Sequence, residues 1–454
     1  MPQPDHSSGD SNLLASWKEI SSYLGRDIRT CLRWEKNFGL PIHRLDPTSE
    51  KSRVFAYKDE LSRWLHQSKT GGLQVHSNRR RSPRHLLLWA VRIAPLAAAV
   101  FVLLVSLRDR LFRGEPADFR IKGSVLSVLD DKGKILWSHD TELESLAGEA
   151  SYRSHFQFRR AQRAAELPYL LIKDLDNDGR REILFSPQTL DETREGNVVC
   201  FDRKGRVLWS FKAGRQLTCG GKQYSGDYRI NGLLAEDLDG DGPLEILVVA
   251  IHRPCWPCQL ALLDAQGRLK GEYWNRGYFN DLACADVDED GVKEIIAAGN
   301  NNEYGRGCLA VLDPASLSGG SPHGSPAFRC PDLRPGSELF YVLLPRTDVD
   351  LAESYPVDAV IAIDILDNRR IQAKTSLTDI YYQFSLDFYD KAVVLSHGFI
   401  QAHEKARLEG KIQSVLNGDY EDNLIKGIRF WDGGNWSPDP VIRQSRNQGS
   451  VRIP

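Results

Sequence analysis

The sequence predicts a chain of three parts: a small α-helical head with a helix-turn-helix, one transmembrane helix, and an all-β propeller of six or seven blades. The head is predicted from two short amphipathic helical patterns within residues 12–66. The membrane helix is predicted from an apolar stretch at residues 86–107, which follows a flexible basic linker at 67–85. The propeller is predicted from a repeat of short strands and acidic loops in residues 114–454.

Charge is distributed unevenly along the chain, although the formal net charge is only −2. Residues 1–84 contain 15 Lys and Arg against 9 Asp and Glu, a balance of +6, which leaves 44 against 52, or −8, for the remainder. A basic head and an acidic body indicate different partners for the two parts.

Two helices joined by a tight turn are predicted at the start of the head. Ser16 and Glu19 form a capping-box pattern for the first helix, which Gly25 ends. Asp27 can cap a second helix that runs from position 28 to about 37. Helix, turn and basic helix make the helix-turn-helix plan. The inward face of the second helix is predicted to consist of Ile28, Cys31 and Leu32, and its outward face of Arg29, Arg33 and Lys36.

The segments SWKEISSYLGRDIRTCLRWEKNFGLPIHRL and SRVFAYKDELSRWL resemble the excisionase-like and MerR-like winged helix-turn-helix domains. The resemblance implies that the second helix enters the major groove of DNA, that residues 41–55 form a wing, and that a helix at 57–65 closes the fold. The insertion at 46–51 is longer than a minimal wing. DNA is the implied partner, bound by a dimer, and a protein-interaction surface is the alternative. The implied DNA-binding residues are Arg29, Arg33, Lys36, Arg44 and Arg53.

The apolar stretch at residues 86–107 has the length of a membrane-spanning helix. Its 22 residues would form a helix about 33 Å long, against a hydrocarbon core of roughly 30 Å. Arg92 is its only charge and lies near the N-terminal end, where the side chain can reach the interface. Arginines are more frequent before the span than after it, which predicts a single-pass protein of the cell inner membrane with a cytoplasmic N-terminus and an extracytoplasmic propeller. A buried core helix is the alternative.

Cysteines are concentrated after the predicted span. Only Cys31 precedes it, and seven others follow. On an oxidising side of the membrane, these seven allow up to three disulfides. The Cys255 and Cys258 pair lacks the strand-turn-helix context of a thioredoxin-like site, so a local disulfide or core packing is favoured over redox catalysis or a metal knuckle.

Three copies of the pattern D-x-D-x-D-G-x-x-E predict calcium-binding loops. Positions one, three and five offer side-chain oxygens, the glycine permits a sharp turn, and the glutamate closes the shell around Ca²⁺. An EF-hand is excluded, because no copy has a glutamate at position twelve. The predicted ligands are Asp174, Asp176, Asp178 and Glu182; Asp237, Asp239, Asp241 and Glu245; and Asp286, Asp288, Asp290 and Glu294.

Between these loops, hairpins are predicted at residues 124–137, 197–209, 259–274 and 308–319. The loops and the hairpins recur with the same spacing, one repeat every 50 to 60 residues or so, which is typical of propeller blades. The loops also resemble the FG-GAP repeats of integrin-type propellers, which implies that each loop joins two strands and binds Ca²⁺. A fourth, incomplete copy from Asp348 to Asp358 predicts a blade without a metal. By a further resemblance, residues 428–436 are expected to supply a closing strand that pairs with N-terminal strands.

The order of these parts predicts a membrane-anchored transcriptional regulator or signal transducer. The alternative is a membrane-anchored adhesion or ligand-binding protein whose head docks on a cytoplasmic protein. An extracytoplasmic enzyme is a third interpretation. It is disfavoured, because no set of catalytic residues stands out in the sequence, and the chain is predicted not to be an enzyme.

Overall fold

The computed structural model divides the chain into two compact units, residues 1–102 and 103–454, which we describe separately. No helix in the described parts is long and apolar enough to cross a membrane. The span predicted at 86–107 lies outside those parts, as do the wing insertion and Cys255. The structure describes residues 12–45, 53–70, 114–158, 167–189, 196–253, 256–354, 357–376 and 379–440.

The head contains the predicted helices, here α1 (Trp17–Leu24) and α2 (Ile28–Phe38). The Ser16 hydroxyl accepts a hydrogen bond from the Glu19 backbone N–H at 3.3 Å, and the Glu19 carboxylate accepts one from the backbone N–H of Ala15 at 2.9 Å. Asp27 caps α2 through the N–H of Thr30. A third helix, α3 (Lys58–Thr70), extends beyond the predicted end at residue 65 into the predicted linker.

Three short strands complete the head: β1 (Leu13–Leu14), β2 (His43–Arg44) and β3 (Val54–Tyr57), in the sheet order β1-β3-β2. The prediction that Ile28 and Leu32 face inward is wrong, because each is 42% exposed. Helix α2 instead packs through its other side. The core of the head consists of Leu14, Ile20, Cys31, Leu40, Val54, Ala56 and Leu61, with Trp17, Trp34 and Trp64 against it.

The body is mostly β-structure, arranged as consecutive antiparallel sheets. The first sheet has three strands, the second and third are four-stranded meanders, and a separate hairpin lies between the second and third. Their strands are β4 (Asp118–Lys122), β5 (Val125–Leu129) and β6 (Ile135–Asp140); β7 (Leu170–Lys173), β8 (Glu182–Phe185), β9 (Asn197–Phe201) and β10 (Val207–Lys212); β11 (Leu217–Cys219) and β12 (Lys222–Tyr224); and β13 (Tyr228–Glu236), β14 (Glu245–His252), β15 (Cys258–Leu263) and β16 (Leu269–Asn275).

The fourth sheet has six strands and the fifth has four. The last two strands that the structure describes extend the fourth sheet by pairing with its outer strand, so the expected pairing with N-terminal strands is wrong. The strands are β17 (Phe279–Ala285), β18 (Glu294–Asn301), β19 (Arg306–Leu312) and β20 (Phe340–Leu343); β21 (Val360–Ile365), β22 (Arg370–Thr375), β23 (Ile380–Ser385) and β24 (Lys391–Leu395); and β25 (Arg429–Trp431) and β26 (Trp436–Ser437).

Helices occupy segments between and beside the sheets. The incomplete fourth acidic copy begins as a short helix capped by Thr347 and has no hairpin loop of its own. Of the four predicted hairpins, the first three are confirmed, whereas residues 313–319 form no second strand in the fourth. The helices are α4 (Glu149–Phe158), α5 (Asp348–Ala352), α6 (His397–Leu408), α7 (Gly418–Lys426) and one turn of 3₁₀ helix (Pro326–Phe328).

Neighbouring sheets pack face to face, and each of four apolar clusters lies between two consecutive sheets. Alternation along β14 shows how one strand serves two clusters. Ile246 and Val248 face the second sheet, whereas Leu247 and Val249 face the fourth. The described residues thus form five propeller-like sheets, rather than six or seven blades. The number predicted from length is too high, because long connections and helices use part of the chain.

Tryptophans from one sheet pack on hairpin turns of the next. Trp137 of the first sheet covers Gly205 (φ 81°), and Trp209 of the second covers Gly267 (φ 77°). A Cβ at either glycine would lie within 2.7 Å of the indole ring. The Trp209 indole N–H also donates to the Ala265 carbonyl at 3.0 Å. The repeated Gly and Trp of the hairpins therefore connect adjacent sheets.

Helix α4 covers the free edge of β4 in the first sheet. The Glu149 carboxylate accepts a hydrogen bond from the Ile121 backbone N–H at 3.1 Å, and the Arg153 guanidinium donates to the Phe119 carbonyl. Arg153 also binds Asp118 at 2.9 Å. Two side chains of one helix therefore take up backbone groups that a fourth strand would otherwise pair.

Candidate metal loops and the basic face of the head

Each of the three carboxylate loops joins the first two strands of its sheet: β7 to β8, β13 to β14, and β17 to β18. In the first loop, the backbone N–H groups of Asp178 and Gly179 donate to the Asp174 carboxylate at 3.1 and 2.8 Å. In the third, those of Asp290 and Gly291 donate to Asp286 at 3.1 and 3.2 Å. In each of these loops, the carboxylate at position one therefore accepts hydrogen bonds from the backbone at positions five and six, which holds the loop in a tight turn.

Adjacent loops are joined through their backbones. The N–H of Leu244 in the second loop donates to the Leu175 carbonyl of the first at 2.7 Å. The N–H of Lys293 in the third donates to the Leu238 carbonyl of the second at 2.8 Å. Position eight of each later loop thus binds position two of the loop before it. The three loops form one row at the same end of the body.

The carboxylates of each loop converge only in part. In every loop, three carboxylates have oxygens within 4.8 Å of one another and could hold a metal ion. Asp178 and Asp241 lie outside the groups of the first two loops, and Glu294 lies outside that of the third, so ligation by all four residues of each loop stays a prediction. The groups are Asp174, Asp176 and Glu182; Asp237, Asp239 and Glu245; and Asp286, Asp288 and Asp290.

The glutamate at position nine accepts a hydrogen bond from the loop backbone. Glu182, Glu245 and Glu294 accept hydrogen bonds from the N–H at position two, at 3.0, 3.2 and 2.7 Å. All three are buried. Each of these carboxylates needs a proton or a cation, because a carboxylate buried among other carboxylates is costly to ionise.

Burial raises the pKa of Glu182 to about 7, against the opposing hydrogen bond from Leu175, and the nearby Asp176 and Asp178 raise it further. Burial likewise raises the pKa of Glu294 to about 7, with Asp288 and Asp290 adding to the effect. A cation bound in either loop would relieve this repulsion. Hard divalent cations are the natural candidates for oxygen ligands of this kind.

A lysine distinguishes the second loop, and no pattern in the sequence indicated it. Lys270 of β16 places its ammonium 3.0 Å from the Glu245 carboxylate, whose side chain is 7% exposed. Within the described residues, no such ion pair reaches Glu182 or Glu294. In the sequence, Lys270 lies a few residues after the hairpin turn. Only the strand register shows that its side chain extends across β15 to Glu245 on β14.

The predicted DNA-binding residues lie on the exposed side of α2 and at the base of the β2–β3 hairpin. Arg29, Arg33, Lys36 and Arg53 are exposed, and none has an ion-pair partner among the residues the structure describes. Arg44 differs, because its guanidinium binds the Glu35 carboxylate at 2.6 Å and is only partly exposed. The structure therefore leaves four of the five side chains accessible to an anionic partner.

One disulfide, Cys219–Cys330, joins the β11–β12 hairpin to the long connection before β20. Among the described residues, the cysteines at positions 200, 258, 284 and 308 of the body form no disulfide. The described residues thus contain one of the three disulfides allowed by the cysteine count. A disulfide is typical of proteins that fold in an oxidising compartment.

A partly buried polar cluster joins α5, α6, α7 and the segment between α6 and α7. The Ser414 hydroxyl donates to Asp348 and lies 2.8 Å from His403 Nε2, while the Tyr420 hydroxyl donates to Asp348 at 2.7 Å. His403 Nε2 also lies 3.9 Å from the Asp348 carboxylate. The Asp348 carboxylate thus connects side chains from neighbouring helices.

No protein-family model and no curated protein matches the chain. Similar solved structures include the Dos1 propeller (9% identity, 62% of this chain and 58% of that one, TM-score 0.33). A protein of unknown function from Bacteroides caccae (12%, 62% and 74%, 0.28) and the V. cholerae biofilm matrix protein Bap1 (16%, 50% and 38%, 0.23) are also similar. The chain covers less than two thirds of the Dos1 and Bap1 structures. Because these TM-scores are low, the description of the body rests on its own strand pairing.

Proposed function

We propose that the chain is a membrane-anchored transcriptional regulator, with a DNA-binding head and a calcium-binding propeller body on the other side of the membrane. The observation that carries the proposal is the basic face of α2. Arg29 and Arg33 lie one turn apart on an exposed helix that follows another helix and a tight turn. Phosphate and guanine edges are the groups that such arginines bind in duplex DNA.

The body supports the second half of the proposal. Three groups of carboxylates in one row suit Ca²⁺, which takes six to eight oxygen ligands from carboxylates, carbonyls and water. Calcium and a disulfide both suit an extracytoplasmic setting. Ca²⁺ held between paired strands would stabilise the body, and the signal that the body receives would be a separate ligand or protein.

The DNA-binding proposal is tested by measuring how the affinity of the full chain for duplex DNA depends on salt. Changing both Arg29 and Arg33 to alanine should weaken binding and reduce the slope of log affinity against log salt by about 0.9 for each phosphate that the variant no longer neutralises. Arg63→Ala is the control, because Arg63 is also exposed but lies on α3 and pairs with Asp59. Unchanged binding by the double variant would refute the assignment.

Two further measurements separate the proposal from the docking alternative. Genome-wide crosslinking of the tagged protein should give enriched DNA sites, whereas a head that docks on a protein should give none. Reporter fusions placed before residue 86 and after residue 113 should lie on opposite sides of the membrane. Fusions on the same side would refute membrane anchoring by this segment.

A further inference from the structure

An apolar stripe lies beside the basic face of α2. Ile28 and Leu32 are one helical turn apart and each is 42% exposed, a large fraction for two adjacent branched aliphatic side chains. Successive residues of a helix are about 100° apart around its axis. Arg29 and Arg33 therefore lie about 100° further round than Ile28 and Leu32, with Lys36 between the two pairs. The apolar and cationic side chains form one continuous exposed surface.

The other flank of the stripe also carries an arginine. Glu35 lies next to Ile28 around the helix, on the side away from Arg29, and its carboxylate binds Arg44 of β2 at 2.6 Å. The exposed Arg53 follows at the same hairpin base, where its carbonyl accepts the Leu45 N–H at 3.1 Å. Because Arg44 is paired with Glu35, the exposed cation on this flank is Arg53. The partner of the stripe should carry apolar groups next to anionic groups.

We infer that Ile28 and Leu32 contact thymine methyl groups in the major groove and so favour thymine beside the bases contacted by Arg29 and Arg33. The inference rests on the DNA binding proposed above. Base edges in the major groove present one apolar substituent, the C5 methyl of thymine, next to the acceptors that arginine binds on guanine. Phosphates beside the base edges match the exposed Arg29 and Arg33. A protein partner would have to combine an apolar contact with many carboxylates, which fits the surface less well.

The position of the stripe in the helix agrees with this role. Ile28 is the first residue of α2, and Leu32 begins its second turn. In helix-turn-helix domains the N-terminal part of the second helix comes closest to the base edges. The exposure of these side chains costs the head little stability, because the core is completed by Cys31 and its neighbours without them.

The test uses the full chain in detergent and a duplex selected by that chain from a randomised library. The selected duplex is prepared with thymine and with deoxyuridine, which lacks only the methyl group. Wild type should bind the thymine form about fourfold more tightly for each contacted methyl, as expected for burial of one such group. Leu32→Ala and Ile28→Ala should each lose the preference at their own positions and bind the deoxyuridine duplex as wild type does.

Two controls separate the methyl contact from general effects. Leu13→Ala removes a side chain that is 40% exposed on β1, and it should keep the full preference for thymine. Arg33→Ala should weaken the binding of both duplexes by the same factor.

Equal binding of the two duplexes by wild type, or an unchanged preference in both stripe variants, would overturn the inference and leave DNA binding intact. If Leu32→Ala instead converted a dimer into a monomer and kept its thymine preference, the stripe would be a self-association surface. Failure of the wild-type chain to enrich any duplex would overturn both the thymine contact and the proposed DNA binding.

Discussion

The first and second carboxylate loops share a backbone design but differ in how the buried glutamate is neutralised. Each loop is followed by a hairpin with one bulged residue at the same register, Leu208 in the second sheet and Lys270 in the third. Lys270 binds Glu245, whereas Leu208 offers no charge to Glu182. One bulge position therefore decides whether the carboxylate is neutralised by the chain itself or needs a proton or a cation from solution.

The largest expected effect is a difference in calcium affinity among the loops. Calcium should stabilise the protein by about 2.7 kcal/mol for each site at a concentration one hundred times its Kd. Titration calorimetry should detect two tight ions, in the first and third loops, and one weaker ion, since calcium must compete with Lys270 for Glu245. Three equal sites would show that Lys270 does not matter, and no change in melting temperature on adding chelator would exclude occupied sites.

Stability of the metal-free protein should depend on pH through Glu182 and Glu294. Their folded pKa of about 7 exceeds the ordinary value of 4.5. The folded state thus binds protons more tightly than the unfolded state, so their contribution is present below pH 4.5 and is lost as pH rises to about 7. We expect a loss of about 3 kcal/mol for each group. The free energy of unfolding, measured with urea in the presence of chelator, should decrease as pH rises through this range, and Glu182→Gln should reduce that decrease. A free energy of unfolding that does not change with pH would contradict the raised pKa values.

Lys270→Leu should make the second loop resemble the first. Removing one partner of a fully buried ion pair costs about 3 to 5 kcal/mol. Because the Lys270 side chain is 43% exposed, we expect a smaller loss of about 1 to 2 kcal/mol in chelator. Calcium should restore stability and bind as a third tight ion.

The matched control for Lys270→Leu is Arg268→Leu, which removes a neighbouring cation that is 79% exposed and lies 4.0 Å from Asp264. It should change unfolding in chelator by less than about 0.5 kcal/mol. Equal losses in the two variants would contradict a specific role for Lys270.

The reverse change, Leu208→Lys, should have the smallest effect on stability among the changes that add or remove a charge beside a buried glutamate. Leu208 is 51% exposed, so a lysine can be accommodated there and its ammonium can approach Glu182. The metal-free protein should gain at most about 1 kcal/mol, as expected for a partly exposed ion pair. One tight calcium site should weaken about tenfold, which calorimetry would detect. Unchanged affinity would mean that the bulge position does not reach the loop.

Local patterns in the sequence predicted the local structure of both units well. The caps at Ser16 and Asp27 and the glycine at Gly25 defined the first two helices, because these signals act within a few residues. The acidic loops were correctly predicted to join paired strands.

Features that depend on contacts between distant residues were not predictable in this way. The exposure of Leu32 depends on which side of α2 packs against the rest of the head. The role of Lys270 depends on a bulge that directs its side chain across a neighbouring strand. The pairing of the last strands with β20 depends on how much chain the preceding helices use. Each is a tertiary property that no short motif encodes.

The edge of β4 has a consequence for solubility. A strand with free N–H and carbonyl groups can serve as a template for strands of other molecules, and from there for fibrous aggregates. The carboxylate of Glu149 and the guanidinium of Arg153 occupy those groups in the native state. Nascent chains in which α4 has not yet docked would expose this adhesive edge. Early docking of α4 would therefore protect the newly synthesised body from aggregating with other chains through this edge.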